Sequence, residues 1–233
     1  MNRPQTSRPH QSPEVRAGFT LIELLATMAV IAILSAAALP GIQSAIQTAR
    51  QTQAAQHARG IGIALNSWAQ DFEGIFPNRE ILESEGVSIS SSNDVFRHLI
   101  PDLIDNERVF AVSASAWGQR ADGRFSEGQA LEPGENHFAY ISGLLTTSRS
   151  FWPLIVDGTD GSGFYHSKVG EKGGAWAGRQ AIVVRVDGSV TKERMKRDGE
   201  KRFIPRLDED TENALEIDSY MPDGVELLDP AGE

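Results

Sequence analysis

One acid stands in an otherwise apolar run. Glu23 is the only charged residue between Phe19 and Leu39, and Gly18-Phe19-Thr20-Leu21-Ile22 leads directly into it. A carboxylate deep in a membrane helix costs roughly 3 kcal/mol on insertion scales, so an acid in such a run points to a function. Elsewhere the residue types that do chemistry are scattered. His57, His98, His137 and His166 show no metal-ligand pair at i, i+3 or i, i+4 spacing. There is no Gly-x-Ser-x-Gly elbow and no phosphate-cradling loop. Asp157, Ser162 and His166 have the residue types of a triad, but ordinary composition supplies such a set by chance. The glycine-rich run from Asp157 to Gly163 makes Asp157 and Asp160 the calcium candidates, yet it lacks EF-hand spacing and a closing glutamate, and a plain turn is expected. With no cysteine, disulfides and thiolate-based zinc sites are excluded. The chain is therefore read as no enzyme and as needing no cofactor, with calcium the one ion its loops leave open.

The elements that must position Glu23 follow from the same stretch. Phe19 to Leu39 is 21 residues, about 32 Å as a helix, enough to cross the hydrocarbon core. A secretory signal peptide has an apolar core of only about 7–15 residues, although Ser35-Ala36-Ala37-Ala38 offers it a cleavage site. An uncleaved signal anchor has the right length. Arg3, Arg8 and Arg16 precede the run, so the amino terminus is expected in the cytoplasm and the remainder outside. Neither reading accounts for Gly18 and Glu23 together.

Gly18-Phe19-Thr20-Leu21-Ile22-Glu23 resembles the processing site of type IV prepilins and of type II secretion pseudopilins. The resemblance implies cleavage between Gly18 and Phe19 by a prepilin peptidase and methylation of the new terminal Phe19. It also implies an assembly contact in which Glu23 of one subunit meets the Phe19 amine of a neighbour. That contact is sound chemistry, since neither charge then stays unpaired in lipid. An acid in the first turn is favoured by the helix dipole as well.

Pro40-Gly41 interrupts the apolar run, but helical spacing resumes with Ile42, Ala45, Ile46 and Ala49. Ile61, Leu65, Trp68 and Phe72 then form a stripe at i, i+4, i+7 and i+11. One long helix over residues 19–73 is predicted, with a kink at Pro40, where many pilins carry a proline. Residues 61–77, ending Gly74-Ile75-Phe76-Pro77, resemble the helix end of pilin-like proteins from several environmental phyla. Gly74 stops the helix and Pro77 prevents its resumption. A short helix is expected over Val95–Ile104 and a loop over 118–136. Residues 137–142 and 152–156 read as strands, with Pro153 at an edge or a strand start. Residues 158–178 read as a long loop. Residues 181–192 read as a hairpin about a two-residue Asp187-Gly188 turn. This hairpin resembles the terminal one of the same pilin-like proteins, many of which carry a histidine where this chain has Ala177; no role is transferred there.

After the hairpin the charge changes sign. Lys192, Arg194, Lys196, Arg197, Lys201, Arg202 and Arg206 are followed by a tail with no further cation. That tail is expected to be solvated and partly disordered, the alternative being a contact with a basic partner or with the basic stretch itself. Removing residues 1–18 takes away three arginines and one glutamate, moving the net charge from −10 to −12. Such a chain is a poor non-specific nucleic-acid binder, and no nucleic-acid partner is expected.

The fold class expected is α+β, type IV pilin-like: one long N-terminal helix packed on a small antiparallel β-sheet. The layout is a leader (1–18), a transmembrane half-helix (19–39), an amphipathic half-helix outside the membrane (40–76), a globular β domain (77–206) and an acidic tail (207–233). The function implied is a structural pilin or pseudopilin subunit of a type IV pilus-like filament or a type II secretion pseudopilus. Its partners would be prepilin peptidase, other pilin subunits and the inner membrane, with the C-terminal domain periplasmic or in an extracellular filament. The alternatives are a membrane-anchored binding protein that does not polymerise and an exported enzyme on a signal anchor.

Overall fold

The computed structural model describes residues 19–119, 121–124, 129–209 and 212–232. The predicted leader, including Gly18, lies outside the described residues. Two units are distinguished, residues 1–45 and 46–233, and helix α1, Leu21–Asp71, runs through the boundary between them. In the first unit Leu21, Ile22, Leu24, Leu25, Ile31 and Leu34 are all exposed. The helix passes Pro40 without ending.

In the second unit α1 is amphipathic. Ala54, Ala58, Ile61, Ala64, Leu65, Trp68 and Ala69 are buried, on helical spacing. Of the predicted stripe, Ile61, Leu65 and Trp68 are buried, and the half-buried Phe72 stacks on Trp68 with centroids 3.7 Å apart. The helix end is more specific than the sequence indicates. Glu73 adopts φ 54° and Gly74 φ 83°, and the Gly74 N–H donates to the Ala69 carbonyl at 2.8 Å. That is a Schellman closure with glutamate in the left-handed position where glycine is preferred. Gly74 is itself constrained, because a Cβ there would meet Thr146 Oγ1 at 2.6 Å.

The core sheet has five antiparallel strands: β1 (Phe138–Ser142), β2 (Pro153–Asp157), β3 (Gln180–Arg185), β4 (Val190–Arg194) and β7 (Glu226–Leu228), in the order β4-β3-β2-β1-β7. β1 and β2 are buried along their whole length, and β3 beyond its first residue. α1 lies close to β3, since a Cβ on Gly62 would come within 2.9 Å of a Val184 methyl. Tyr140 of β1, fully buried, donates its hydroxyl to the Pro77 carbonyl at 2.8 Å and so ties the post-helix turn to the sheet. A second pairing, β5 (Lys196–Asp198) with β6 (Lys201–Phe203), forms a small hairpin from the basic stretch.

Three expectations need correction. The helix expected over 95–104 is α3, Ser92–Arg97, which follows α2, Arg79–Ser84. It starts earlier because the Asp94 carboxylate accepts N–H bonds from Ser90 and Ser91, both at 2.9 Å; those bonds hold its pKa below the usual range although burial alone would raise it. The β3–β4 turn is a three-residue one. Gly188 alone of its central pair has positive φ, the Gly188 N–H donates to Arg185 O, and the Arg185 N–H donates to Ser189 O, the bulged form next most common after the two-residue turn. Pro153 meets its expectation as a strand start, on a strand that lies in the sheet interior.

The third correction is the tail, which is part of the fold. β7 pairs with β1 over Tyr140↔Leu228, Ile141↔Leu227 and Ser142↔Glu226. Asp229 accepts the Thr159 N–H and hydroxyl, both at 2.7 Å. Arg206 pairs with Glu212 and bonds Ser219 at 2.6 Å, close to the self-contact weighed as the alternative. Ala214, Leu215, Ile217 (of α4, Ile217–Tyr220) and Leu228 are buried and supply the apolar anchorage.

Candidate functional site

The helix start is built from Thr20 and Glu23. Thr20 N–H donates to Glu23 Oε2 at 2.9 Å, the Thr20 hydroxyl donates to the same oxygen at 2.8 Å, and Glu23 N–H donates to Thr20 Oγ1 at 3.3 Å. This is a reciprocal capping box, with Thr20 as N-cap and Glu23 three residues into the helix. The first intrahelical bond, Leu24 N–H to Thr20 O at 3.2 Å, confirms the boundary. The sequence-level signature, Thr-x-x-Glu before an apolar run, is present, yet the expectation gave Glu23 the helix dipole and a neighbour's amine and left out Thr20. Phe19, 89% exposed, sits immediately outside the cap. Beyond the box, α1 carries nothing but apolar or small residues and one threonine as far as Leu39.

Residues 15–39 match the model of the prokaryotic N-terminal methylation motif. The N-terminal segment therefore carries the prokaryotic N-terminal methylation motif, consistent with a type IV pilin-like protein. The chain is also 29% identical over 125 residues to the fimbrial protein EcpC of Eikenella corrodens, covering 48% of this chain and 81% of the relative. No solved structure matches the chain. A long apolar N-terminal helix followed by a five-stranded antiparallel sheet gives the α+β pilin-like architecture.

The remaining sequence-predicted sites do not converge. Asp157 and Asp160 face different neighbours. Asp157 is buried, and its Oδ2 accepts the Trp176 indole N–H at 2.8 Å and the Ile182 N–H at 2.7 Å. Burial pushes its pKa up to about 7 against those two bonds. Asp160 Oδ1 accepts from Ser162 N–H at 2.8 Å, Ser162 Oγ at 2.7 Å and Phe164 N–H at 3.2 Å, which hold its pKa low despite partial burial. Asp157 Oδ2 and Asp160 Oδ1 thus organise the loop around protein donors. Of the three residues with triad chemistry, Ser162 is bonded to Asp160 and His166 Nδ1 lies 3.3 Å from Glu171.

Two polar features escaped the sequence reading. His57 is half-buried, and its Nδ1 bonds the Ala111 carbonyl at 3.1 Å. It lines a cavity of about 770 Å³ with Trp117 and His137, whose Nε2 bonds the Trp117 carbonyl at 2.9 Å. Burial lowers the His137 pKa. Each ring nitrogen facing a carbonyl must carry the proton, so both imidazoles brace the loop. Glu107, Asp122 and Glu135 bring carboxylate oxygens within 4.8 Å of one another. Glu107 accepts Leu131 N–H at 2.5 Å and Gly123 N–H at 2.9 Å; Glu135 accepts Asp122 N–H at 3.0 Å and Glu132 N–H at 2.8 Å. These acids hold the backbone at Asp122, Gly123, Leu131 and Glu132, and burial with like-charged neighbours raises the Glu135 pKa. Spacings of 13 and 15 residues leave no local pattern by which to find them.

Proposed function

We propose that the chain is a structural subunit of a type IV pilus-like filament or type II secretion pseudopilus rather than an enzyme. In this reading a prepilin peptidase cuts between Gly18 and Phe19, Phe19 is methylated, and α1 holds the subunit in the inner membrane until assembly. The observation that carries the reading is the methylation motif over residues 15–39, in register with the Thr20–Glu23 helix start and an apolar surface its own chain leaves uncovered. Exposed apolar surface on that scale is stable only in lipid or against other helices. The similarity to a fimbrial protein supports the same class.

Cleavage would free an amine at Phe19, next to the N-cap whose donors already converge on Glu23. A neighbouring subunit's amine is a cation that Glu23 can take in a medium without water, so subunit stagger would be set by that pair. Pro40 removes one backbone donor from the helix and gives it a place to bend during packing. The orientation, with the domain beyond Asp71 outside the cytoplasm, follows from Arg3, Arg8 and Arg16.

The test is intact mass and amino-terminal sequencing of protein from native membranes, together with filament fractionation. A mature chain beginning at methylated Phe19 is expected, and Glu23→Ala should be processed normally but drop out of the filament fraction by at least about tenfold. A start after Ala38, or an uncut Met1, would sink the reading.

A further inference from the structure

The two edges of the five-stranded sheet carry opposite charge. On one, β4 exposes Lys192 and Arg194, two residues apart and therefore on one face. The β5–β6 hairpin that follows exposes Arg197 and Lys201 together with Asp198 and Glu200, so the positive charge of this edge rests on Lys192 and Arg194. Glu193, between the first two, is already held by Arg185 at 2.7 Å. At the other edge, β7 begins with Glu226 beside α2, whose Glu80 and Glu83 are exposed. Those three acids and Arg79 line a groove of about 360 Å³. Arg79 is engaged by Glu226 at 3.0 Å and by Glu83 at 3.3 Å, so the groove keeps an excess of negative charge. Four strand spacings, roughly 19 Å, separate the two edges.

Charge on an edge strand ordinarily prevents strand-to-strand aggregation. Here the pattern is selective. Two β4 edges repel, two β7 edges repel, and the unlike pair attracts. A contact between opposite edges is heterologous and, unless its rotation closes a ring, propagates as an open row. We propose that the basic β4 edge of one copy docks against the acidic β7–α2 groove of a second copy. This rests on the filament-subunit reading and names its lateral contact between outer domains.

The chain has no cysteine, so engineered ones report alone. Two full-length, differently tagged copies are expressed together, one Arg194→Cys and the other Glu80→Cys, and cross-linked in native membranes with a short bis-maleimide. The mixed cross-link is expected, with little Arg194→Cys to Arg194→Cys product, and its yield should fall several-fold as salt rises from about 0.05 to about 0.5 M. Adding Lys192→Glu to the first copy, or Glu83→Lys to the second, should cut the yield by about tenfold, and combining the two should restore it. Restoration excludes misfolding as the cause of either loss. Processed, filament-borne protein with no mixed cross-link, or with a like-edge product instead, would overturn the edge contact alone. An unprocessed chain that still gives the mixed, salt-sensitive product would overturn the filament reading and leave the edge contact standing.

Discussion

The same residue types meet opposite fates in residues 21–45 and 46–232. Leu24, Leu25, Ile31 and Leu34 are exposed, whereas Ile61, Leu65, Leu82 and Ile155 are fully buried. In the second unit, apolar side chains are matched by partners from the same chain, and each buried acid named above has N–H donors. In the first, one capping box closes the helix start, and none of the described residues buries the apolar side chains that follow it. Stability of the second unit is thus an intramolecular property, while the first unit's apolar surface calls for the lipid or neighbouring helices that the proposed function would supply.

The sharpest way to separate the two is to stop the chain after Arg206. That removes β7, the Asp229 bonds to Thr159 and the buried Leu215 and Ile217. The second unit should lose on the order of 4 kcal/mol or more, enough to abolish cooperative unfolding by circular dichroism, while membrane insertion is unchanged. Cooperative melting of the truncated chain would mean that the tail only decorates the domain.

Asp157 gives the next largest effect. An acid whose folded pKa, about 7, lies above its unfolded value of 3.8 binds more protons folded than unfolded between those pH values. Its contribution is therefore favourable below about pH 4 and is lost as pH rises towards about 7, with a slope of at most about 1.4 kcal/mol per pH unit. Asp157→Asn keeps an acceptor for Trp176 and Ile182 and should flatten that slope in urea titrations run from pH 4 to 8. Parallel wild-type and variant profiles would show that the carboxyl does not titrate in that window.

Glu73→Gly should be smaller and of opposite sign. Relieving the left-handed glutamate at the end of α1 should stabilise by about 0.5–1 kcal/mol, read as a rise of a few degrees in Tm. A fall would indicate a side-chain contact of Glu73 that outweighs its strain. Smallest of all is chelation: adding EDTA should leave Tm where it is, because one oxygen of each of Asp157 and Asp160 is already held by protein donors; a clear fall would show that a bound cation contributes.

Long regular signals were legible. The 3.6-residue stripe of α1 and the apolar runs of β1 to β3 announce themselves, since each side chain buries against a regular neighbour. What was missed depends on single bonds or distant pairs. Asp94 moves α3 towards the amino terminus, and one glycine's φ decides between turn types. Glu107 and Glu135 meet only because the intervening loop folds back. The tail misled for a different reason: its acidic composition reads as solvated, while Ala214, Leu215, Ile217 and Leu228 are too widely spaced to show a period. At the candidate site the acid and the cleavage motif were plain, and the Thr20 half of the capping box was there to be read.

β7 lies within the last eight residues of the chain but is hydrogen-bonded to β1, roughly 85 positions earlier. A chain that emerges amino-terminal helix first presents β1 long before its edge partner arrives. Until β7 follows, that edge stays open, so the sheet closes only once the chain is available as far as Leu228, and chains cut short before it would be left with an unpaired strand for proteases to find.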